Sequence, residues 1–323
     1  MAAARSTNIL RRSLLYVPAS KSRALTKSRT LYSDNVTYDL EDSVTPSVKP
    51  QAREALRDFL SENASRPPRV AEVAVRINAV STGWASEDLA TLAPLAAVDA
   101  VVVPKVNSAS DLAFVADMLA HHAPERNGSG QSPDAIKILA LIETARGVMD
   151  LREICAATPL LSGLIFAAED FALDMSLKRT RSLDEFWFAR SSIVTAARAA
   201  NLPSAIDLVY PYYKIGENPI EGFREECEKG RAIGFNGKQC IHPGQLEMAL
   251  AQFMPTKEET AWAVKIVIAD EKAAADGKGA WTFEGAMIDA PVVGKARSII
   301  DKAKTCNVDI DSLREMYKDT EPE

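Results

Sequence analysis

The chain has 323 residues, of which 47% are hydrophobic and 25% are charged, a composition typical of a globular protein with a large core. The net charge of −6 and the lack of a nucleic-acid-reading motif argue against a nucleic-acid binder. No apolar stretch approaches the roughly 18 residues needed to cross a bilayer, and the scattered cysteines indicate free thiols instead of disulfides or a zinc site.

The N-terminal segment is strongly basic. Residues 1–33 contain seven Lys or Arg and no Asp or Glu, a bias typical of a mitochondrial transit peptide. Because residues 13–18 already read as a first strand, only residues 1–12 remain for a tail or short targeting segment. A basic first strand–helix turn with a frayed tail explains the same charges. We therefore expect a mitochondrial location, with a cytoplasmic one as the alternative.

Apolar runs typical of strands alternate along the chain with amphipathic segments typical of helices. The strand-like runs lie at residues 13–18, 35–40, 70–77, 98–103, 135–142, 161–167, 203–210 and 235–241. The helical segments between them include residues 47–64, 108–123, 145–157 and 183–201. Eight such alternations predict an α/β fold, a closed (β/α)₈ TIM barrel over residues 13–254. No GxGxxG follows a strand, which disfavours an open doubly wound sheet.

Two further segments lie outside this alternation. Residues 126–133 form a polar, Gly-containing stretch that predicts a surface loop. Residues 255–323 form a C-terminal extension with a helix at 257–276, a mixed apolar and acidic stretch at 280–291, and two more helical segments. This extension has too little material for a core of its own, so we expect it to pack on the barrel or on a neighbouring subunit.

Chemically useful side chains follow the predicted strands, where the functional face of a barrel lies. In strand order these are Lys21, Arg23 and Lys27; Glu41 and Asp42; Arg76 and Asn78; Lys105; Glu143; Glu169 and Asp170; Asp207 and Tyr210; and His242. Any one of them could be a solvated loop residue. Their presence after every strand predicts a site at this face.

Glu143 and Asp170 are the candidate metal ligands, because each follows a run that is apolar to its end. Mg²⁺ prefers oxygen ligands and typically takes one or two protein carboxylates, and ends of adjacent strands are close enough to share an ion. Helix capping is the alternative role for either acid.

Arg76 projects from a strand end, where a guanidinium can hold a carboxylate or an enolate oxygen. A structural ion pair with Glu41 or Asp42 is equally consistent with the sequence. Lys21, Arg23 and Lys27 form a basic cluster suited to phosphates, or a solvated helix face. His242, which precedes a proline, is typical of a structural hydrogen-bonding residue.

Nine sequence blocks together resemble one known family. They are Arg12-Ser-Leu-Leu-Tyr-Val-Pro18, Asp39-Leu-Glu-Asp-Ser43, Val75-Arg-Ile-Asn78, Val103-Pro-Lys-Val106, Ile142-Glu-Thr-Ala145, Ala168-Glu-Asp-Phe171, Ala205-Ile-Asp-Leu-Val-Tyr210, residues 234–243 and Gly285-Ala-Met-Ile-Asp-Ala-Pro291. In this order and spacing they are similar to the citrate lyase β-subunit-like proteins of the HpcH/HpaI aldolase superfamily. Among these, they most resemble a mitochondrial member. The resemblance covers almost the whole chain.

The resemblance implies a TIM-barrel homotrimer that uses Mg²⁺ and a coenzyme A thioester. It implies Glu143 and Asp170 as metal ligands, Asp289 as the catalytic acid/base on a C-terminal lid of a neighbouring subunit, and Arg76 as the group that stabilises the enolate. The residues it places around the substrate and coenzyme A are Tyr16, Arg23, Lys27, Arg76, Glu143, Ile241 and His242.

The expected activity is Mg²⁺-dependent carbon–carbon cleavage of (3S)-citramalyl-CoA to acetyl-CoA and pyruvate, with weak malate-synthase-like condensation. Malyl-CoA or citryl-CoA as the substrate, a metal-dependent 2-oxo-acid aldolase without coenzyme A, and a non-catalytic binder of CoA esters are the alternatives. Two departures from the family pattern, Ala19-Ser20 and Ala167-Ala168, add methyl groups near the ligand and predict a narrower pocket. A third departure, at an acidic position of the family that falls within residues 211–214, joins them in leaving the acyl specificity open.

Overall fold

The computed structural model describes residues 9–127, 132, 134–214, 219–277 and 279–323. The predicted loop at 126–133 therefore lies largely outside the described residues, although Arg126 and Asn127 end a short helix. The chain divides into two compact units, Met1–Phe253 and Met254–Glu323.

The first unit is a closed parallel barrel in which each strand pairs with the next and the eighth pairs with the first. Its strands are β1 (Ser13–Pro18), β2 (Ser33–Asp39), β3 (Val70–Arg76), β4 (Ala100–Val103), β5 (Lys137–Ile142), β6 (Leu161–Phe166), β7 (Ser204–Asp207) and β8 (Gly237–Cys240). The predicted TIM-barrel fold is confirmed.

Helices follow the strands and cover the barrel. They are α1 (Ser22–Ser28), α2 (Lys49–Glu62), α3 (Trp84–Leu92), α4 (Ala109–His122), α5 (Pro124–Asn127), α6 (Ala145–Met149), α7 (Leu151–Ala156), α8 (Ala168–Asp174), α9 (Trp187–Ala199), α10 (Pro219–Ile233) and α11 (Leu246–Gln252). Short 3₁₀ turns lie at Pro46–Val48, Asp184–Phe186 and Pro243–Gln245.

Alternate residues along the strands fill the barrel interior, because successive side chains of a strand point to opposite faces. The interior layer consists of Leu14, Ala74, Ala100, Val102, Leu139, Leu141, Ile165 and Ile206. The opposite faces of the same strands pack against the helices in one larger core that includes Val101, Ile138 and Leu164.

A buried arginine closes the amino-terminal end of the barrel. Arg11 makes a bidentate ion pair with Glu72, with both N···O distances at 2.7 Å. Its remaining terminal nitrogen donates to the hydroxyls of Ser162 and Ser204, each at 3.0 Å. Arg12 pairs with Asp34 in the same region. Both arginines precede β1, so the barrel uses residues that the sequence assigned to a tail.

The second unit has its own small core. It contains α12 (Lys257–Ala275), a hairpin of β9 (Trp281–Phe283) and β10 (Ala286–Ile288), α13 (Ala290–Thr305) and α14 (Ile310–Met316). Trp281, Phe283 and Ile288 of the hairpin are buried together with apolar residues of α12 and α13. The expectation that this segment is too small for a core is therefore wrong, because its helices bury their apolar faces against the hairpin.

Candidate active site

A cavity of about 370 Å³ opens at the carboxyl-terminal ends of the barrel strands. Its lining is Tyr16, Pro18, Asp39, Asp42, Ser43, Arg76, Leu141, Ala167, Ala168, Glu169, Asp170, Val209, Gln239 and Ile241. A larger groove of about 830 Å³ lies on the outside of the barrel, along α7 and α9. We place the site in the smaller cavity because the strand-end acids and Arg76 converge there.

Glu143 follows β5 directly and is 2% exposed. Its Oε1 accepts a hydrogen bond from the backbone N–H of Lys105 at 3.0 Å. Lys105 adopts a left-handed conformation with φ of 53°, which is uncommon for a residue other than glycine. Burial raises the pKa of the Glu143 carboxyl to about 8, and the charges of Asp170 and Glu41 add to the rise.

Asp170 lies in the first turn of α8 with its side chain 38% exposed. Its Oδ1 is 3.9 Å from the ammonium of Lys105. Glu143 and Asp170 are thus both next to Lys105, one contacting its backbone and the other close to its side chain. The structure brings these two acids to the same rim, as the sequence predicts.

Glu41 and Asp42 enlarge the acidic cluster. The Lys105 ammonium contacts Glu41 Oε1 at 2.6 Å and lies 3.8 Å from Asp42. Although burial lowers the pKa of Lys105, its hydrogen bond and charge interaction with Glu41 raise it overall. The second oxygen of Glu41 is buried and makes no hydrogen bond among the described residues.

Arg76 is held by Asp39, a residue that the sequence did not identify as its partner. Asp39 and Arg76 are paired neighbours in the β2–β3 register. The Nε and Nη2 of Arg76 donate to the two Asp39 oxygens at 2.7 and 2.8 Å. The expected partners Glu41 and Asp42 are each 3.2 Å from Nη1. Asp39 therefore fixes the guanidinium and leaves Nη1 directed at the acidic cluster.

Tyr16 lies beneath this guanidinium, with its ring centroid 4.5 Å from the central carbon of Arg76. Its hydroxyl donates to Gln239 Oε1 at 3.0 Å. Gln239 in turn donates to the carbonyls of Phe166 and Asp207, at 2.8 and 3.1 Å, so its amide has one orientation. Burial raises the pKa of the Tyr16 phenol far above its usual value, and the phenol stays neutral. Tyr16 can therefore offer a ligand an acceptor but no proton.

Ile241 and His242 follow β8, but His242 is not part of the cavity lining. Ile241 lines the cavity and is 37% exposed. His242 is exposed, and its Nδ1 accepts from the backbone N–H of Gly244 at 3.1 Å. The His242 ring stacks on Tyr213 with a centroid distance of 5.0 Å. Nδ1 thus carries no proton in this arrangement, and Nε2 is the nitrogen left to bind a ligand.

The remaining predicted site residues lie elsewhere. Arg23 and Lys27 are exposed on α1, and neither is part of the cavity lining. Asp207, which the sequence placed at the rim, is fully buried and paired with Arg190 of α9 at 2.7 Å. Asp289 belongs to the second unit, where it caps α13 by accepting from the N–H of Val292 at 3.2 Å.

The donor set of the cluster fits Mg²⁺. All of its candidate ligand atoms are carboxylate oxygens, the ligand type that Mg²⁺ prefers. The buried Oε2 of Glu41 makes no hydrogen bond to any residue that the structure describes and lies 3.2 Å from Arg76 Nη1. No group of three or more His, Cys, Asp or Glu side chains in the described part of the chain has metal-binding geometry. Glu143 and Asp170 would therefore supply two ligands, and the rest would come from water and substrate.

The fold and the cavity together define a TIM-barrel enzyme with an acidic centre at the carboxyl ends of its strands. None of the helices in the described ranges is long and apolar enough to span a membrane. The model of one family, HpcH/HpaI aldolase/citrate lyase, matches residues 12–243.

The chain belongs to the HpcH/HpaI aldolase/citrate lyase family, a family of carbon–carbon lyases. It is 32% identical over 304 residues to the mitochondrial citramalyl-CoA lyase of Homo sapiens, covering 91% of this chain and 86% of that protein. It is 35% identical over 293 residues to a (3S)-malyl-CoA thioesterase of Cereibacter sphaeroides, covering 91% and 94%. The crystal structure of CitE from Mycobacterium tuberculosis with magnesium, acetoacetate and coenzyme A is similar, with a TM-score of 0.71 and 31% identity over 92% of this chain and 99% of that one. The predicted family is confirmed.

Proposed function

We propose that the protein is a Mg²⁺-dependent acyl-CoA lyase that cleaves (3S)-citramalyl-CoA to acetyl-CoA and pyruvate. The observation that carries the proposal is the cavity at the carboxyl end of the barrel, which is lined by Asp170 and a fixed Arg76. Glu143 lies buried beside Lys105, whose ammonium is 3.9 Å from Asp170. The relatives named for citramalyl-CoA, malyl-CoA and a coenzyme A complex support a thioester substrate.

Glu143 and Asp170 would hold the Mg²⁺. A bound divalent cation acts as a Lewis acid that polarises a chelating 2-hydroxycarboxylate and orients it for cleavage. Burial of Glu143 and its hydrogen bond to the Lys105 backbone place one ligand rigidly. The more exposed Asp170 faces the cavity, where the substrate would enter.

Arg76 would stabilise the enolate that forms when the bond between Cα and Cβ of the thioester breaks. Asp39 occupies two of its nitrogens, so the guanidinium is oriented before the substrate arrives. Preorganised donors of this kind stabilise developing negative charge most effectively, because nothing must reorganise during the reaction.

During cleavage the substrate hydroxyl would give its proton to solvent, and Asp289 would give its own proton to the enolate carbon. Solvent would then return a proton to Asp289, so the reaction consumes no net proton. In the condensing direction the same carboxylate would take a proton from the methyl group of acetyl-CoA. We propose that it acts in the site of a neighbouring subunit of a homotrimer.

Tyr16, Ile241 and His242 would line the thioester, and Arg23 and Lys27 would attract the coenzyme A phosphates. The basic N-terminal segment supports a mitochondrial location.

Thioester hydrolysis is the second candidate, because a 35% identical relative is named a malyl-CoA thioesterase. One experiment separates the two activities. The protein would be incubated with Mg²⁺ and citramalyl-CoA, malyl-CoA or citryl-CoA, with 2-oxo acid and free thiol measured in parallel. A lyase releases 2-oxo acid without free coenzyme A, whereas a thioesterase releases free coenzyme A alone. Cleavage that persists in EDTA would refute the metal assignment, and no turnover of any thioester would refute the proposed function.

A further inference from the structure

Part of the cavity wall lies beyond the point where the strands hydrogen-bond to each other. The β6–β7 ladder ends at the pair Ile165 and Ile206. The wall residues Glu169, Asp170 and Val209 come later in the chain. Because no ladder connects these segments, other contacts must set the distance between them.

Arg179 connects the two segments from behind the wall. Its side chain is only 7% exposed, although the residues on either side of it are exposed. Nη1 donates to Glu169 Oε1 at 2.5 Å, and Nη2 donates to the carbonyl of Val209 at 3.0 Å. Nη2 also donates to Glu226 Oε1 of α10 at 2.6 Å. One guanidinium thus joins the first turn of α8, the segment after β7 and helix α10.

The far end of this connection is rigid. Glu226 is 6% exposed, and its second oxygen accepts from the ammonium of Lys238 at 3.0 Å. Lys238 lies in β8 and is fully buried. Arg179 is therefore anchored to the barrel itself, and Glu169 is the end that a change in Arg179 would release. Glu169 shares a helical turn with its neighbour Asp170.

We propose that Arg179 is a positioning residue that holds Asp170 in place for the metal. This inference rests on the proposed function, in which Asp170 is a Mg²⁺ ligand. The planar fork of a guanidinium can bond a carboxylate on each side and a carbonyl at once, whereas an ammonium presents a single point of charge. Removing a partner that orients a metal ligand typically lowers metal affinity by about 10–100-fold.

The test uses Mn²⁺ as the probe, because electron paramagnetic resonance measures its free concentration directly. Full-length Arg179→Gln and Arg179→Lys would be compared with the unaltered protein. Arg181→Gln is the matched control, since Arg181 lies on the same loop and pairs with Glu225 of the same helix, but is 82% exposed. Thermal unfolding of each protein, measured without metal, separates loss of fold from loss of affinity.

We expect Arg179→Gln to weaken Mn²⁺ binding by about 10–100-fold, Arg179→Lys to recover part of the loss, and Arg181→Gln to bind as the unaltered protein does. If both Arg179 variants bind within twofold of the unaltered protein while Asp170→Asn does not bind, Arg179 has no role in metal binding and the inference is wrong. The same holds if the variants are destabilised without a change in affinity. An unaltered protein that binds no Mn²⁺ would instead refute the metal site of the proposed function, and this role with it.

Discussion

Substitution of Asp289 separates a catalytic role from a structural one, because the structure gives this residue a second function. Its side chain caps α13 through a 3.2 Å hydrogen bond from the N–H of Val292. Loss of that bond would fray the helix near Val293, which is buried in the core of the second unit. A simple Asp289→Ala variant would therefore lose stability whether or not the carboxylate takes part in catalysis.

Asparagine and serine solve this problem, since both cap helices about as well as aspartate. We expect Asp289→Asn and Asp289→Ser to unfold at the same temperature as the unaltered protein, and Asp289→Ala to lose about 1 kcal/mol of stability. If Asp289 is the general acid, all three variants lose about 10²–10⁴-fold in kcat for thioester cleavage.

The assay is citramalyl-CoA cleavage followed by pyruvate release, beside thermal unfolding of each variant. Equal activity in Asp289→Asn would refute the acid/base role. Activity that falls only in Asp289→Ala, in step with its unfolding temperature, would show that Asp289 is a helix cap and nothing more.

Three further predictions follow from the barrel. Glu143 has a pKa of about 8, and as a metal ligand it would have to lose its proton. The apparent Kd for Mg²⁺ should therefore be about tenfold higher at pH 7 than at pH 9, above which it should be constant. Calorimetry in two buffers should show nearly one proton released at pH 7, and a pH-independent Kd would contradict the prediction. A lysine in place of Arg76 cannot make the bidentate pair with Asp39. We therefore expect Arg76→Lys to lower kcat/KM by about 10²–10³-fold and to leave metal affinity unchanged. A loss below fivefold would refute the role of Arg76 in stabilising the enolate. A Cβ at Gly237 would lie 1.9 Å from the carbonyl oxygen of Arg11. We therefore expect Gly237→Ala to lower the free energy of unfolding, measured in urea, by about 3 kcal/mol or more. Gly294→Ala, which has open space around it, should not lower that free energy.

The parts of the site that the sequence predicted share one property: they are visible within a single segment. Glu143 and Asp170 stand out because each follows an apolar strand, and Arg76 stands out as a charge at a strand end. Asp39 was missed as the partner of Arg76 because only the β2–β3 register places them side by side. Gln239 was missed because its partner Tyr16 lies far away in the sequence. Arg179 was missed because it lies outside the charged motifs at the strand ends, and the fold alone brings it to Glu226.

Strand position alone also proved insufficient to tell which way a side chain points. Asp207 ends β7 as Arg76 ends β3, yet Asp207 faces α9 and forms a buried pair with Arg190. The reason is that successive side chains of a strand point to opposite faces, so a side chain one position further along faces the helical layer instead of the cavity. When both faces of a strand are buried, its apolar sequence does not show which residues face the cavity and which face the helices.

The balance of charge at the rim gives an independent physical argument for a divalent cation. Asp39, Glu41, Asp42, Glu143 and Asp170 carry five negative charges when ionised, against the three positive charges of Arg76, Lys105 and the nearby Lys49, which leaves −2. An anionic substrate would be repelled by such a site. One bound Mg²⁺ would bring the balance to zero and would give a substrate carboxylate a direct partner. We expect loss of the Glu143 proton and binding of the cation to be coupled, so that metal binding would remove the repulsion of an anionic substrate at the rim.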